Sequence, residues 1–144
     1  MKKLLALFLA LSLLICSVPF VSALDEQTPA PTEPIDEYQN VSMAHVYLSI
    51  ASDGTATIDI ECYGYSGTSH ISSTTYLERR NGSFWTRVKI DGAYQVTAEA
   101  NASFLVDTYD TTVDHGSYRA TAVFTVTRGG VDETVTLHSL NWTY

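Results

Sequence analysis

From His45 onward the chain alternates apolar and polar residues at period two, the spacing that puts one side of a strand in a core and the other in water. "AHVYLSIA" places Val46, Leu48 and Ile50 on one face and His45, Tyr47 and Ser49 on the other. "TATIDIECYG" places Ala56, Ile58, Ile60 and Cys62 opposite Thr57, Asp59, Glu61 and Tyr63. Asp53-Gly54 lies between them, a pair that accepts the positive φ angles of a tight hairpin. Asn81-Gly82 does the same for "TTYLERR" and "SFWTRVKI", as does Gly129-Gly130 for "SYRATAVFTVT" and "VDETVTLHSLNWTY". Asp91-Gly92 marks another turn. It precedes "YQVTAEANASFLVD", where Val96, Ala98, Ala100, Ala102, Phe104 and Val106 recur at period two and predict one long or bent strand. About seven short antiparallel strands with turns at this spacing predict an all-β sandwich.

Ahead of this pattern the chain is organised differently. "MKKLLALFLALSLLICSVPFVSA" joins Lys2 and Lys3 to an apolar run from Leu4 to Ile15, then Pro19, Ser22 and Ala23. That is the layout of a secretory signal peptide over residues 1–23, with the mature chain starting at Leu24 and destined for the extracellular space. Residues 24–40 contain "DEQTPAPTEPIDEY", five acids and three prolines with little to bury, and read as a disordered or polyproline-type leader. Proline is absent from 41–144, as suits paired strands, since it cannot donate to a ladder. One domain over 41–144 is the expectation.

Charge narrows the partners. The whole chain carries −8, and losing the two leader lysines makes the mature form more acidic still. Such a chain repels nucleic acid and anionic lipid, which leaves a protein or carbohydrate partner. The sequons at Asn40, Asn81, Asn101 and Asn141 are read as chance triplets in a Ser/Thr-rich chain with a bacterial-type "MKK" start. Only Cys62 survives cleavage, so no intramolecular disulfide forms, and its inward phase argues for a monomer.

"DHGSYRA", residues 114–120, is similar to the D-x-G-x-Y-x-C corner of immunoglobulin-like domains, with Asp114, Gly116 and Tyr118 in place and Ala120 where cysteine stands. Cys62 occupies the position of the pattern's first cysteine. The resemblance implies an immunoglobulin-like sandwich without the intersheet disulfide. In it Tyr118 packs inward, its hydroxyl bonding backbone upstream, and Cys62 is a buried thiol. Inward aromatics, Phe104, Phe124 and Trp85, are expected to offset the missing bridge. Where such domains carry a core tryptophan, Tyr76 or Leu77 stands here. The run from "YLERRNGSFWTRV" to "GSYRATAVFTV" also resembles small exported proteins of unknown function from Gram-positive bacteria. That likeness implies a compartment and no activity.

Candidate chemistry is sparse. Asp59 and Glu61 lie two apart on an outward face, about 7 Å from each other, a separation some glycosidase acid pairs share. They support the alternative of a small secreted hydrolase using surface carboxylates. His45, His70, His115 and His138 lack the short spacings of a metal site. Asp107, Asp110 and Asp114 form a denser oxygen-rich group of the kind that can hold calcium, though without an EF-hand's glycine and closing glutamate. Ser66 and His70 in "GYSGTSH" lack a nucleophile elbow. Tyr47 and Tyr63, outward on paired strands, and Tyr65 in the adjoining loop can stack on sugars or anchor a protein. Cross-strand pairing between tyrosines is the plainer account of them. A secreted, non-catalytic binding or structural module without cofactor is the expectation.

Overall fold

The computed structural model describes residues 38–144. The expected signal peptide and the expected leader up to residue 37 lie outside them. Nine strands follow in order: β1 (Val41–Ile50), β2 (Thr55–Gly64), β3 (Thr68–Asn81), β4 (Phe84–Val88), β5 (Val96–Ala100), β6 (Phe104–Thr112), β7 (Ser117–Arg128), β8 (Val131–His138) and β9 (Trp142–Thr143). All their pairings are antiparallel.

The smaller sheet has the order β1-β2-β6, the larger β4-β3-β7-β8, with β5 also on β3 and β9 also on β7. This is the strand arrangement of an immunoglobulin-like sandwich, whose first, second and fifth-type strands face a sheet built on the third and sixth. Alternation decides which side each strand buries. Val46, Leu48 and Ile50 from β1, Ile58, Ile60 and Cys62 from β2, Ile71 and Leu77 from β3, and Ala120, Phe124 and Val126 from β7 share one core. Fully burying a side chain such as Phe124 contributes roughly 1.5–3 kcal/mol. Leu77, opposite Ala120 on β7, takes the inward place, and Tyr76 faces out.

Hairpin glycines are used as their φ requires: Gly54 has +84° and Gly82 +63°. At the third turn Asp91 itself adopts +44° and Gly92 +88°, closing the bridge between Ile90 and Ala93.

Three expectations need correction. The strands number nine, because β9 is a two-residue addition and because the segment expected as one strand is two. The chain bends at residues 101–103, so β5 pairs with β3 in the larger sheet and β6 with β2 in the smaller. Crossing between layers shifts the phase by one residue, and such a slip exchanges faces. Leu105 is therefore buried, while Phe104 is 55% exposed and Val106 52% exposed. Trp85 is not a core residue either: it is half-buried, its ring 4.5 Å from the Arg119 guanidinium carbon. Phe124 alone of the three aromatics lies in the core.

The domain is also tied down ahead of β1. The Asn40 side chain is buried and donates to the carbonyls of Val126 (3.1 Å) and Val131 (3.0 Å). The amides of Gln39 and Asn40 both donate to the Glu133 carboxylate.

Candidate functional site

Pairing register places the outward residues of the smaller sheet in rows running across its strands. Met43, Tyr63 and Phe104 form one row; His45, Glu61 and Val106 form the next; Tyr47, Asp59 and Thr108 form the third. The first two rows hold the exposed apolar surface. Tyr63 and Phe104 are directly paired across β2 and β6, and their rings stack at 6.3 Å between centroids with 23° between planes. Beside them stand Met43 and Val106, both exposed. The phase slip after residue 103 aims Phe104 and Val106 outward, so this patch exists because the chain changes sheets.

The three tyrosines singled out by sequence are not one cluster. Tyr47 pairs with Asp59, four residues along β2 from Tyr63, a distance of about 14 Å by the rise per residue. Its ring stacks on His45 at 5.6 Å instead. Tyr65 lies beyond the end of β2, bonded through its amide to the Asn40 carbonyl, with the Arg128 guanidinium 5.9 Å from its ring. Tyr63 is the member that joins a larger surface. Phe104 and Val106, assigned to the core from their period, are the members that sequence reasoning missed. The signal for them was Asn101 and Ser103, two polar residues able to break the strand before Phe104.

Carboxylates line the same face. Asp59 accepts a hydrogen bond from the Thr108 hydroxyl at 2.7 Å, and Asp110 one from Thr57 at 2.6 Å. Glu61 sits between His45 and Val106. The three strands of this sheet contain no lysine or arginine, so nothing on them neutralises these acids.

Comparison with family models, curated proteins and solved structures finds no match to this chain. What the face can bind follows from its chemistry: stacked rings for apolar faces, and carboxylates for hydroxyl or amine donors.

The remaining candidates separate. Asp107 is on the inward phase of β6 and Asp110 on the outward one, while Asp114 lies in the following loop. Among the described residues no group of three His, Cys, Asp or Glu side chains is placed to hold a metal. At the corner, Tyr118 is buried and its hydroxyl donates to the Asp114 backbone carbonyl at 2.7 Å. Asp114 thus serves through its carbonyl. At Gly116 a Cβ would meet Arg79 Nε at 2.7 Å, so the Arg79 side chain, bonded to the His115 carbonyl, would have to shift to admit one. Cys62 is a free, buried thiol, and burial pushes it up to about 12.

On the outer face of the larger sheet, Glu78 accepts from Arg119 Nε and from the Thr121 hydroxyl, both at 2.8 Å. Burial alone would raise its carboxyl. The Thr121 and Arg119 hydrogen bonds and the Arg119 charge outweigh that and hold it below the ordinary carboxylate range.

Proposed function

We propose that this protein is an exported, non-catalytic binding module, of the small Gram-positive kind its sequence resembles, that holds a neutral glycan against the outer face of β1, β2 and β6. The observation that carries this reading is the stacked Tyr63–Phe104 pair, Tyr63 half-buried and Phe104 exposed. Aromatic rings offered side by side match the apolar faces of sugar rings. Glu61 and His45 in the adjoining row supply polar partners for sugar hydroxyls, and Asp59 lies one row further.

The width of the face favours a narrow, linear ligand over a protein. Strands lie about 4.8 Å apart, so three of them span about 10 Å from first to last. A stable protein interface takes about 800 Å² from each partner. The uncompensated carboxylates favour a ligand without acidic groups. The module works as a monomer, and Asp59 and Glu61 act as hydrogen-bond acceptors, with no bond broken.

Affinity electrophoresis through gels containing soluble neutral polysaccharides tests this. The mature chain is expected to be retarded by at least one of them, and the Tyr63→Thr, Phe104→Thr double variant to migrate freely at an unchanged melting temperature. No retardation of the parent protein, or equal retardation of the variant, removes the reading.

A further inference from the structure

The rings on the outer face of the smaller sheet follow one oblique path. Phe104 on β6 and Tyr63 on β2 are direct partners. Tyr63 is paired with Met43 on β1, so His45, two residues on, is its diagonal neighbour, about 7–8 Å away between Cβ atoms. Tyr47 follows on the same face of β1, and its ring stacks on His45 with 5.6 Å between centroids and 26° between planes. Phe104, Tyr63, His45 and Tyr47 thus cross all three strands in order. Tyr47 and Tyr63 are too far apart to touch, but His45 stands between them. Two rows along the strands and two strand spacings across give the path a length of about 17 Å.

Its ends are its most open members. Phe104 is 55% exposed and Tyr47 37%, while Tyr63 and His45 between them are half-buried. Carboxylates accompany the path on one side. Glu61 is the direct partner of His45, and Asp59 of Tyr47, so both acids stand on β2 beside the β1 rings. Thr108 occupies one oxygen of Asp59, which leaves the second for another donor.

We infer that this face takes an extended β-1,4-linked neutral glycan, laid along the path with successive sugar rings over Phe104, Tyr63, His45 and Tyr47. The inference rests on the glycan site proposed above, and adds to it the shape of the ligand and the part played by His45 and Tyr47. Equatorial linkages keep a β-1,4-linked chain straight and ribbon-like, with C–H groups on its flat sides and hydroxyls along its edges. The flat sides match aromatic rings set in line. On one edge the hydroxyls meet Glu61 and Asp59 as acceptors. The axial bond of an α-1,4-linked chain coils it, so that it would rest on the Tyr63–Phe104 pair and leave the face before Tyr47. One stacked pair holds a short segment; a path of this length holds several units.

Affinity electrophoresis of the mature chain through hydroxyethylcellulose, glucomannan and arabinoxylan, with pullulan, glycogen and dextran alongside, reads the linkage. At least one of the first three is expected to retard the protein, and none of the last three. Calorimetric titration with oligosaccharides of the retarding type, from disaccharide to hexasaccharide, reads the length. Affinity should rise with each unit until the path is covered, then level off. Tyr47→Thr should lower affinity for the hexasaccharide by about threefold to tenfold, the worth of one aromatic contact, and affinity for the disaccharide by less. Melting of the variant checks its fold, and Tyr47→Leu, which removes the ring but keeps an apolar side chain, replaces it if threonine is not tolerated. Equal retardation by the α-linked polymers overturns the inference, as does a Tyr47 variant that binds every length as the parent does. In either case, lost binding in the Tyr63→Thr, Phe104→Thr variant leaves the outer-face site standing. If none of these polymers retards the parent chain, site and inference fall together.

Discussion

The hydroxyl of Tyr118, at the start of β7, is bonded to the backbone carbonyl of Asp114 four residues earlier. The bond closes the corner by which the chain leaves the smaller sheet and enters the larger. Tyr118→Phe keeps the ring and deletes the donor, leaving a partly buried carbonyl unpaired. The expected cost is about 1–2 kcal/mol. Thermal denaturation checks it: the variant should melt lower than the parent by several degrees, and coincident melting curves would show the bond to be idle.

Cys62 and Ala120 face the core from β2 and β7, strands that approach each other across it. With its thiol raised to about 12, Cys62 carries almost no thiolate at neutral pH. Ellman's reagent is expected to miss it in the native protein and to count one thiol per chain once the mature protein is denatured. Ala120→Cys should restore the crosslink that the corner pattern implies. Oxidised variant should then show no free thiol under denaturant and gain roughly 2–4 kcal/mol. Two free thiols in that variant would mean that the paired positions diverge from the immunoglobulin-like geometry.

Glu78 couples β3 to β7 through Arg119 and Thr121. Its folded-state carboxyl lies below the ordinary 4.5, so the charged form is favoured by folding. The stabilisation is present above 4.5 and is lost as pH falls through the lower folded value. Glu78→Gln is therefore expected to lower stability at neutral pH and to flatten the acid limb of a stability–pH curve. An unchanged acid limb, measured by urea denaturation across that range, would contradict the coupling.

Thr75 is fully buried on β3 with no hydrogen-bond partner for its hydroxyl, and the buried hydroxyl oxygens of Ser73 on the same strand and of the partly buried Tyr109 on β6 also lack one. Burial, then the neighbouring Asp107, raises the Tyr109 hydroxyl. Thr75→Val replaces an unsatisfied polar group by a methyl of the same shape. It should stabilise the domain by about 1 kcal/mol, read as a higher urea midpoint at constant slope. A lower midpoint would reveal a bound water or other partner at that hydroxyl.

Much of the fold was legible in the sequence, and particular residues show why. Val46, Leu48, Ile58 and Ile60 alternate strictly because each of their strands has one wet and one dry side. Gly54 and Gly82 punctuate because only glycine adopts their positive φ freely. Tyr118 was recognisable because its corner is a local arrangement of five residues. Phe104 and Val106 were misread because period two continues through Ala102 while the chain turns from one sheet to the other, and periodicity does not report which sheet a strand joins. The candidate face suffered most from that. Tyr63 was found, its true partner Phe104 was placed in the core, and Tyr47 and Tyr65 were grouped with it although register sets them apart.

The amino-acid sequence by itself determined the extended strands, the turns between them, the corner at Tyr118 and the absence of a crosslink at Cys62, since each depends on neighbours within a few residues. Tertiary structure alone decided that β5 and β6 lie in different layers and that Phe104 stacks on Tyr63. Those outcomes depend on which strand edges meet, a choice made by non-local pairing and core packing that no local pattern encodes.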